Sequence, residues 1–100
     1  MPPEPDDQWR LENFLEVLDR WIEFENPPSV IRRRVTAWLL TRLETPYAGV
    51  VRQVGFADLW YGVVPGTLHS DGHVVACSYW IDAQTMRVRC DSIATLSAPA

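Results

Sequence analysis

Residues suited to chemistry gather in the last third of the chain. His69, Asp71 and His73 alternate along one segment, and Cys77 follows at the same parity. Zinc takes nitrogen, oxygen and sulfur donors, so this set is a conceivable ligand shell. Its spacing matches no zinc-finger pattern, however, and Asp71-Gly72 is a turn signal in its own right. Cys77 also falls on an apolar strand face. The segment therefore reads as a connection, and no metal or other cofactor is assigned. A Cys/His nucleophile would have to use Cys77 or Cys90, both on that same apolar face, where the thiolate is disfavoured. There is no Gly-x-Ser-x-Gly elbow, no Gly-rich phosphate loop and no His-Glu-x-x-His. Glu12, Glu16, Asp19 and Glu23 recur at helical spacing and read as a solvated face. No catalytic residue is assigned, and the balance leans away from an enzyme.

Recognition has better support than catalysis. His73–Asp82 and Met86–Leu96 read as two strands joined by a turn at Asp82–Thr85, which sets Ile81 opposite Met86. One face then carries Val75, Cys77, Tyr79 and Ile81 beside Met86, Val88, Cys90 and Ala94. The other carries Ser78, Trp80 and Asp82 beside Arg87, Arg89 and Asp91. In this register Trp80 lies opposite Arg87, a cation–π arrangement, and Cys77 lies opposite Cys90. The cysteines read as buried thiols, with a cross-strand disulfide as the alternative. Trp and Arg dominate interface hot spots, so Trp80, Arg87, Arg89 and Asp91 form the candidate partner-binding surface, Asp91 helping to orient the arginines. A seam between two copies of the chain would use the same residues.

The elements that position this hairpin follow from periodicity. Residues 1–7 are rich in Pro and acid and read as a flexible lead, with Asp6 or Asp7 placed to cap a helix. Leu11, Phe14, Leu15, Leu18, Trp21 and Ile22 recur at helical spacing, which predicts a helix over 8–25. Asn26-Pro27-Pro28-Ser29 breaks it. Ile31, Val35, Trp38, Leu39 and Leu43 predict a second helix over 28–44, antiparallel to the first because the connector is short. Its Arg32, Arg33 and Arg34 are expected to face Glu16, Asp19 or Glu23. Beyond Thr45–Gly49 the period falls to two, predicting strands at Val50–Val54 and Leu59–Val64 before the hairpin. Ser97–Ala100 reads as a loose tail. The expected fold is α+β: one domain over 8–96, an N-terminal antiparallel helix hairpin packed on a three- to four-stranded antiparallel sheet.

Composition limits the partners. Apolar residues are 47% and charged residues 22% of 100, the balance of a globular domain with a real core. No apolar run reaches the roughly 20 residues of a membrane span. No basic segment leads into an apolar one as a secretory signal would, so the cytoplasm is the expected location. All nine basic residues are Arg, and the net charge is −4. Residues 1–26 hold eight acids against two Arg, and residues 27–100 hold seven Arg against five acids. A chain this acidic lacks the positive footprint of a general nucleic-acid binder.

Leu39-Leu-Thr-Arg-Leu-Glu-Thr-Pro-Tyr-Ala-Gly49, the aromatic strand with Leu59-Trp60-Tyr61, and Val75-Ala-Cys-Ser-Tyr-Trp-Ile-Asp82 followed by Met86-Arg-Val-Arg together resemble the RelE/ParE superfamily of small toxins. The resemblance spans about residues 10–96. It implies a helix hairpin on a sheet and a protein partner, an antitoxin-like segment that lays a helix or strand on the toxin. The family usually opens with a strand, and none is expected here. Its RNA-cleaving members use basic residues on the sheet and a Tyr or His with further basic residues near the C-terminus. Arg87 and Arg89 match the strand arginines in kind, but the tail Ala94–Ala100 supplies no acid, base or cation. The resemblance thus implies the scaffold more than the activity, and the expected function is a non-catalytic interaction module of toxin–antitoxin type. A structural homodimer and a ribosome-dependent RNA-cleaving toxin are the alternatives.

Overall fold

The computed structural model describes residues 8–69 and 71–97. Seven elements follow in chain order: β1 (Arg10–Glu12), α1 (Phe14–Glu25), α2 (Ser29–Thr41), β2 (Val51–Arg52), β3 (Leu59–Val63), β4 (His73–Asp82) and β5 (Arg87–Ser97). The strands form one five-stranded sheet in the order β1-β5-β4-β3-β2. It is mixed, because β1 runs parallel to β5 while every other neighbouring pair is antiparallel. The fold class is α+β as expected, but the sheet is neither three- to four-stranded nor purely antiparallel.

The added strand is β1. Residues 10–12 were expected to be helical because Leu11 continues the spacing of Phe14, Leu15 and Leu18. Instead Arg10 N–H donates to Met86 O at 2.8 Å, and Trp9 N–H donates to Leu43 O at 3.0 Å. Asn13 then turns the chain with φ 64°, and its side-chain amide donates to Cys90 O at 3.2 Å. Asn tolerates this left-handed conformation better than most residues. A three-residue strand is too short to show in an apolar periodicity that the next helix happens to continue. The proposed caps Asp6 and Asp7 lie outside the described residues.

In α1, Phe14, Val17, Leu18 and Trp21 form the buried stripe, and Asn26 ends the helix at φ 42° with its N–H on Ile22 O. Pro28 then serves α2, its carbonyl accepting from Ile31 and Arg32 N–H, both at 3.0 Å. Two of the arginines expected to meet α1 do otherwise. Arg32 donates to Pro27 O and Asn26 Oδ1, both at 2.9 Å, and Arg34 donates to Gly66 O at 2.5 Å. Acceptors at the inter-element turns, two backbone carbonyls and the Asn26 side chain, thus take these guanidinium groups in place of the exposed carboxylates of α1.

Both helices cover the same face of the sheet. Their stripes meet Val64, Val75, Cys77, Tyr79, Ile81, Val88, Cys90 and Ile93 in a single core. At its centre Arg42, only 3% exposed, has no carboxylate partner among the described residues. Its guanidinium donates to Ala48 O at 2.6 Å, to the Tyr79 hydroxyl at 3.1 Å and to Thr41 Oγ1 at 2.9 Å, and it lies 4.1 Å from the Trp38 ring centroid. Tyr79, itself fully buried, donates onward to Pro46 O. A buried charge is tolerated only when hydrogen-bonded. Here it locks the turn after α2 onto the middle of β4. Gly62 permits the same turn to close, since a Cβ there would stand 2.8 Å from Gly49 O.

Candidate functional site

The final hairpin is shifted relative to the expected register. Asp82 pairs with Arg87, Ile81 with Val88, Trp80 with Arg89 and Tyr79 with Cys90. Asp82 stays at the end of β4, where its carboxylate accepts from Gln84 and Thr85 N–H at 3.1 and 3.3 Å, and Met86 takes φ 54°. Bonds from Thr85 and Gln84, aided by nearby Arg87, hold the Asp82 carboxyl below its usual range. The turn therefore occupies 83–86 rather than 82–85. This slip preserves the facing of Val88 and Cys90. A bulge then changes it: Ser78 pairs with Ser92, leaving Asp91 without an opposite residue. Beyond the bulge Ile93, not Ala94, enters the core.

The slip and the bulge separate the cysteines. Cys77 pairs with Ile93 and Cys90 with Tyr79, so the two thiols lie diagonally and are free. Each sulfur lies 3.9 Å from Ser78 O. The neighbouring Cys90 thiol and burial push the Cys77 thiol upward, which keeps it protonated.

The opposite face of the sheet is covered by no helix among the described residues, and the four expected site residues lie on it. Trp80 lies between Leu59 and Arg89, and Arg89 lies between Trp80 and Glu12. Trp80 is therefore beside Arg89 rather than Arg87. Its ring makes no cation–π contact with either. It packs edge-on against Phe56, with centroids 5.8 Å apart. Arg87 lies between Asp82 on β4 and Arg10 on β1. Asp91 does not orient an arginine: its carboxylate accepts from Ser78 Oγ at 3.0 Å, and Ser78 also bonds Ser92 at 2.7 Å. No Arg–carboxylate ion pair forms among the described residues. Arg10, Arg87 and Arg89 thus present unpaired guanidinium groups next to Glu12, Asp82 and Asp91.

The open face has two halves. The β2–β3 half is apolar and aromatic, with exposed Val51, Tyr61 and Val63 and with Phe56 beside Trp80. The β5–β1 half carries the charges. Arg10, Glu12 and Phe56 were not anticipated. The first two had an ambiguous signal, since Trp9-Arg10-Leu11-Glu12 alternates apolar and polar as a strand does while Leu11 also continues the spacing of the following helix. Phe56 had none, because its position depends on how the β2–β3 loop folds back. Asp58 O anchors that loop by accepting from Ile81 N–H at 2.9 Å.

The His-x-Asp-x-His segment closes on itself. His69 N–H donates to His73 O at 2.7 Å, and Asp71 Oδ1 is 3.0 Å from His73 Nδ1, a contact that becomes an ion pair when the ring is protonated. The bonds from His73 lower the Asp71 pKa. Among the described residues no group of three or more His, Cys, Asp or Glu is placed to hold a metal ion. Nor is any described helix long and apolar enough to cross a membrane.

No protein-family model matches the sequence, and no curated protein matches it. Among solved structures the chain is similar to the E. coli toxin RelE, in the form of a double arginine-to-alanine mutant in the free state. The TM-score is 0.58 at 17% identity, covering 86% of this chain and 81% of that one. The likeness is one of fold: this chain has a RelE-like architecture, as its sequence motifs imply.

Proposed function

We propose that this chain is a non-catalytic protein-binding module of toxin–antitoxin type that receives a segment of a protein partner on its open sheet face. The observation that carries the reading is the composition of that face. Exposed aromatic and apolar residues adjoin three arginines that have no ion-pair partner among the described residues. Such a surface suits a peptide with an apolar stripe and flanking acids, which Arg87 and Arg89 would bind in bidentate fashion. Phosphate tracking is poorly served, because Glu12, Asp82 and Asp91 alternate with the arginines and leave no positive groove. The RelE-like architecture supplies the toxin–antitoxin context.

Crosslinked capture of the tagged chain from a bacterial host, with bound proteins quantified for wild type, Trp80→Ala and Arg87→Ala/Arg89→Ala, tests the surface. At least a ten-fold loss of a specific partner from both variants is expected. Equal recovery from all three would remove this face from consideration. The second reading, an RNA-cleaving toxin, draws on the RelE-like fold and the strand arginines. Growth arrest on induced expression, relieved in Arg87→Ala/Arg89→Ala, would favour it over the first.

A further inference from the structure

We propose that the free edge of β5, from Ser92 to Ser97, pairs antiparallel with the same edge of a second copy of this chain. β1 accompanies β5 only over Arg87–Arg89, so among the described residues the rest of β5 has a strand neighbour on the β4 side alone. The outward groups of that edge can be traced. Met86 O accepts from Arg10 N–H, and Cys90 O accepts from the Asn13 side chain, so both carbonyls point away from β4. The bulge at Asp91 shifts the alternation by one residue. Ile93, Thr95 and Ser97 then direct their N–H and C=O groups outward, where no described residue pairs with them.

Exposed edges are normally blunted by Lys, Pro, an inward charge or a bulge. The bulge here comes at Asp91, before the free run begins. Ser92-Ile-Ala-Thr-Leu-Ser97 contains no charge and no Pro. An uncharged edge is compatible with itself: a two-fold axis sets no like charges opposite one another, and each outward donor meets an outward acceptor at the same spacing.

The helix above this edge agrees. α1 lies over β5, with Trp21 Nε1 donating to Thr95 Oγ1 at 3.1 Å. Leu15 faces α2, lining a 430 Å³ groove with Thr36, Leu39 and Leu40. Phe24 is nine residues further on, half a turn around the helix at about 100° per residue. It therefore points away from α2, toward the free edge, and it is 82% exposed. Edge pairing about a two-fold axis brings the two α1 helices side by side and covers both Phe24 rings. This surface is separate from the open face, so its test does not depend on the partner proposed there.

Sedimentation equilibrium of the full chain over a concentration series, with amide hydrogen exchange followed at Ile93 and Thr95, tests the pairing. The mass is expected to rise from 11.5 kDa toward twice that value, with exchange at both amides slowing as it does. Phe24→Asp, at an exposed position, should weaken dimerisation at least ten-fold. Thr95→Pro should abolish it, while Thr95→Val, which loses only the Trp21 bond, should retain it. A constant monomer mass overturns the proposal. So does a dimer whose Ile93 and Thr95 amides exchange at a concentration-independent rate, a result that points to the open face or the α1–α2 groove instead. If Thr95→Pro fails to fold by circular dichroism, Phe24→Asp and the exchange data decide.

Discussion

Arg42 and Arg89 lie on opposite sides of one sheet, and among the described residues neither has a carboxylate within ion-pairing distance. Arg42 is enclosed by a carbonyl, two hydroxyls and an indole face. Arg89 is exposed between Trp80 and Glu12, and its guanidinium makes no hydrogen bond among the described residues. The same side chain is thus a structural clamp where neutral acceptors converge and an available contact where they do not. Burial, rather than residue type, separates the residues that hold this fold from those left free to bind.

Three variants test that contrast. Arg42→Ala removes charge-assisted bonds to buried acceptors and should cost about 3 kcal/mol in urea unfolding. A cost as small as that of a surface change would show that the turn after α2 holds without its clamp. Tyr79→Phe leaves Pro46 O without its donor and should cost about 1 kcal/mol. Burial raises the Tyr79 pKa against the opposing effect of Arg42, and the Cys77 pKa is raised as well. Both groups favour the protonated form when folded. Their contribution is complete below the unfolded values of about 9 to 10 and is lost as pH rises through the folded ones. The unfolding midpoint should therefore fall above pH ~9, and less steeply in Tyr79→Phe; an identical alkaline profile in the two proteins would contradict the assignment. The smallest effect belongs to Arg87→Ala/Arg89→Ala. Each exposed arginine should change stability by no more than about 0.5 kcal/mol, so a variant that unfolds readily would place these residues in the scaffold instead.

Much of this arrangement was legible before folding. The stripes Phe14-Leu18-Trp21 and Ile31-Val35-Leu39 announce two helices, and the alternation from Val75 to Ile81 announces a strand with one buried face. That pattern also assigned Trp80, Arg87 and Arg89 to the outer face, because a two-residue register slip preserves parity. Other features had no local signal. Leu11 fits a helix and a strand equally well, and only the bond from Arg10 to Met86 decides between them. Asp91 looked like one more outward residue, yet its bulge exchanges Ala94 for Ile93 in the core. Arg42 carries no local mark of burial, and only the convergence of Ala48 O, Tyr79 and Trp38 encloses it.

The sequence by itself determined the helix and strand types and the apolar faces, because periodicity is a local property of neighbouring residues. It also determined the acidic N-terminal quarter and the arginine-only basic set. The tertiary structure alone decided the parallel strand at the sheet edge, the diagonal placement of Cys77 and Cys90, the burial of Arg42 under Trp38, and the gathering of Arg10, Arg87 and Arg89 on one face. Each of these depends on which strands and turns meet in space, and a bond such as Arg10 N–H to Met86 O leaves no periodic trace in the chain that makes it.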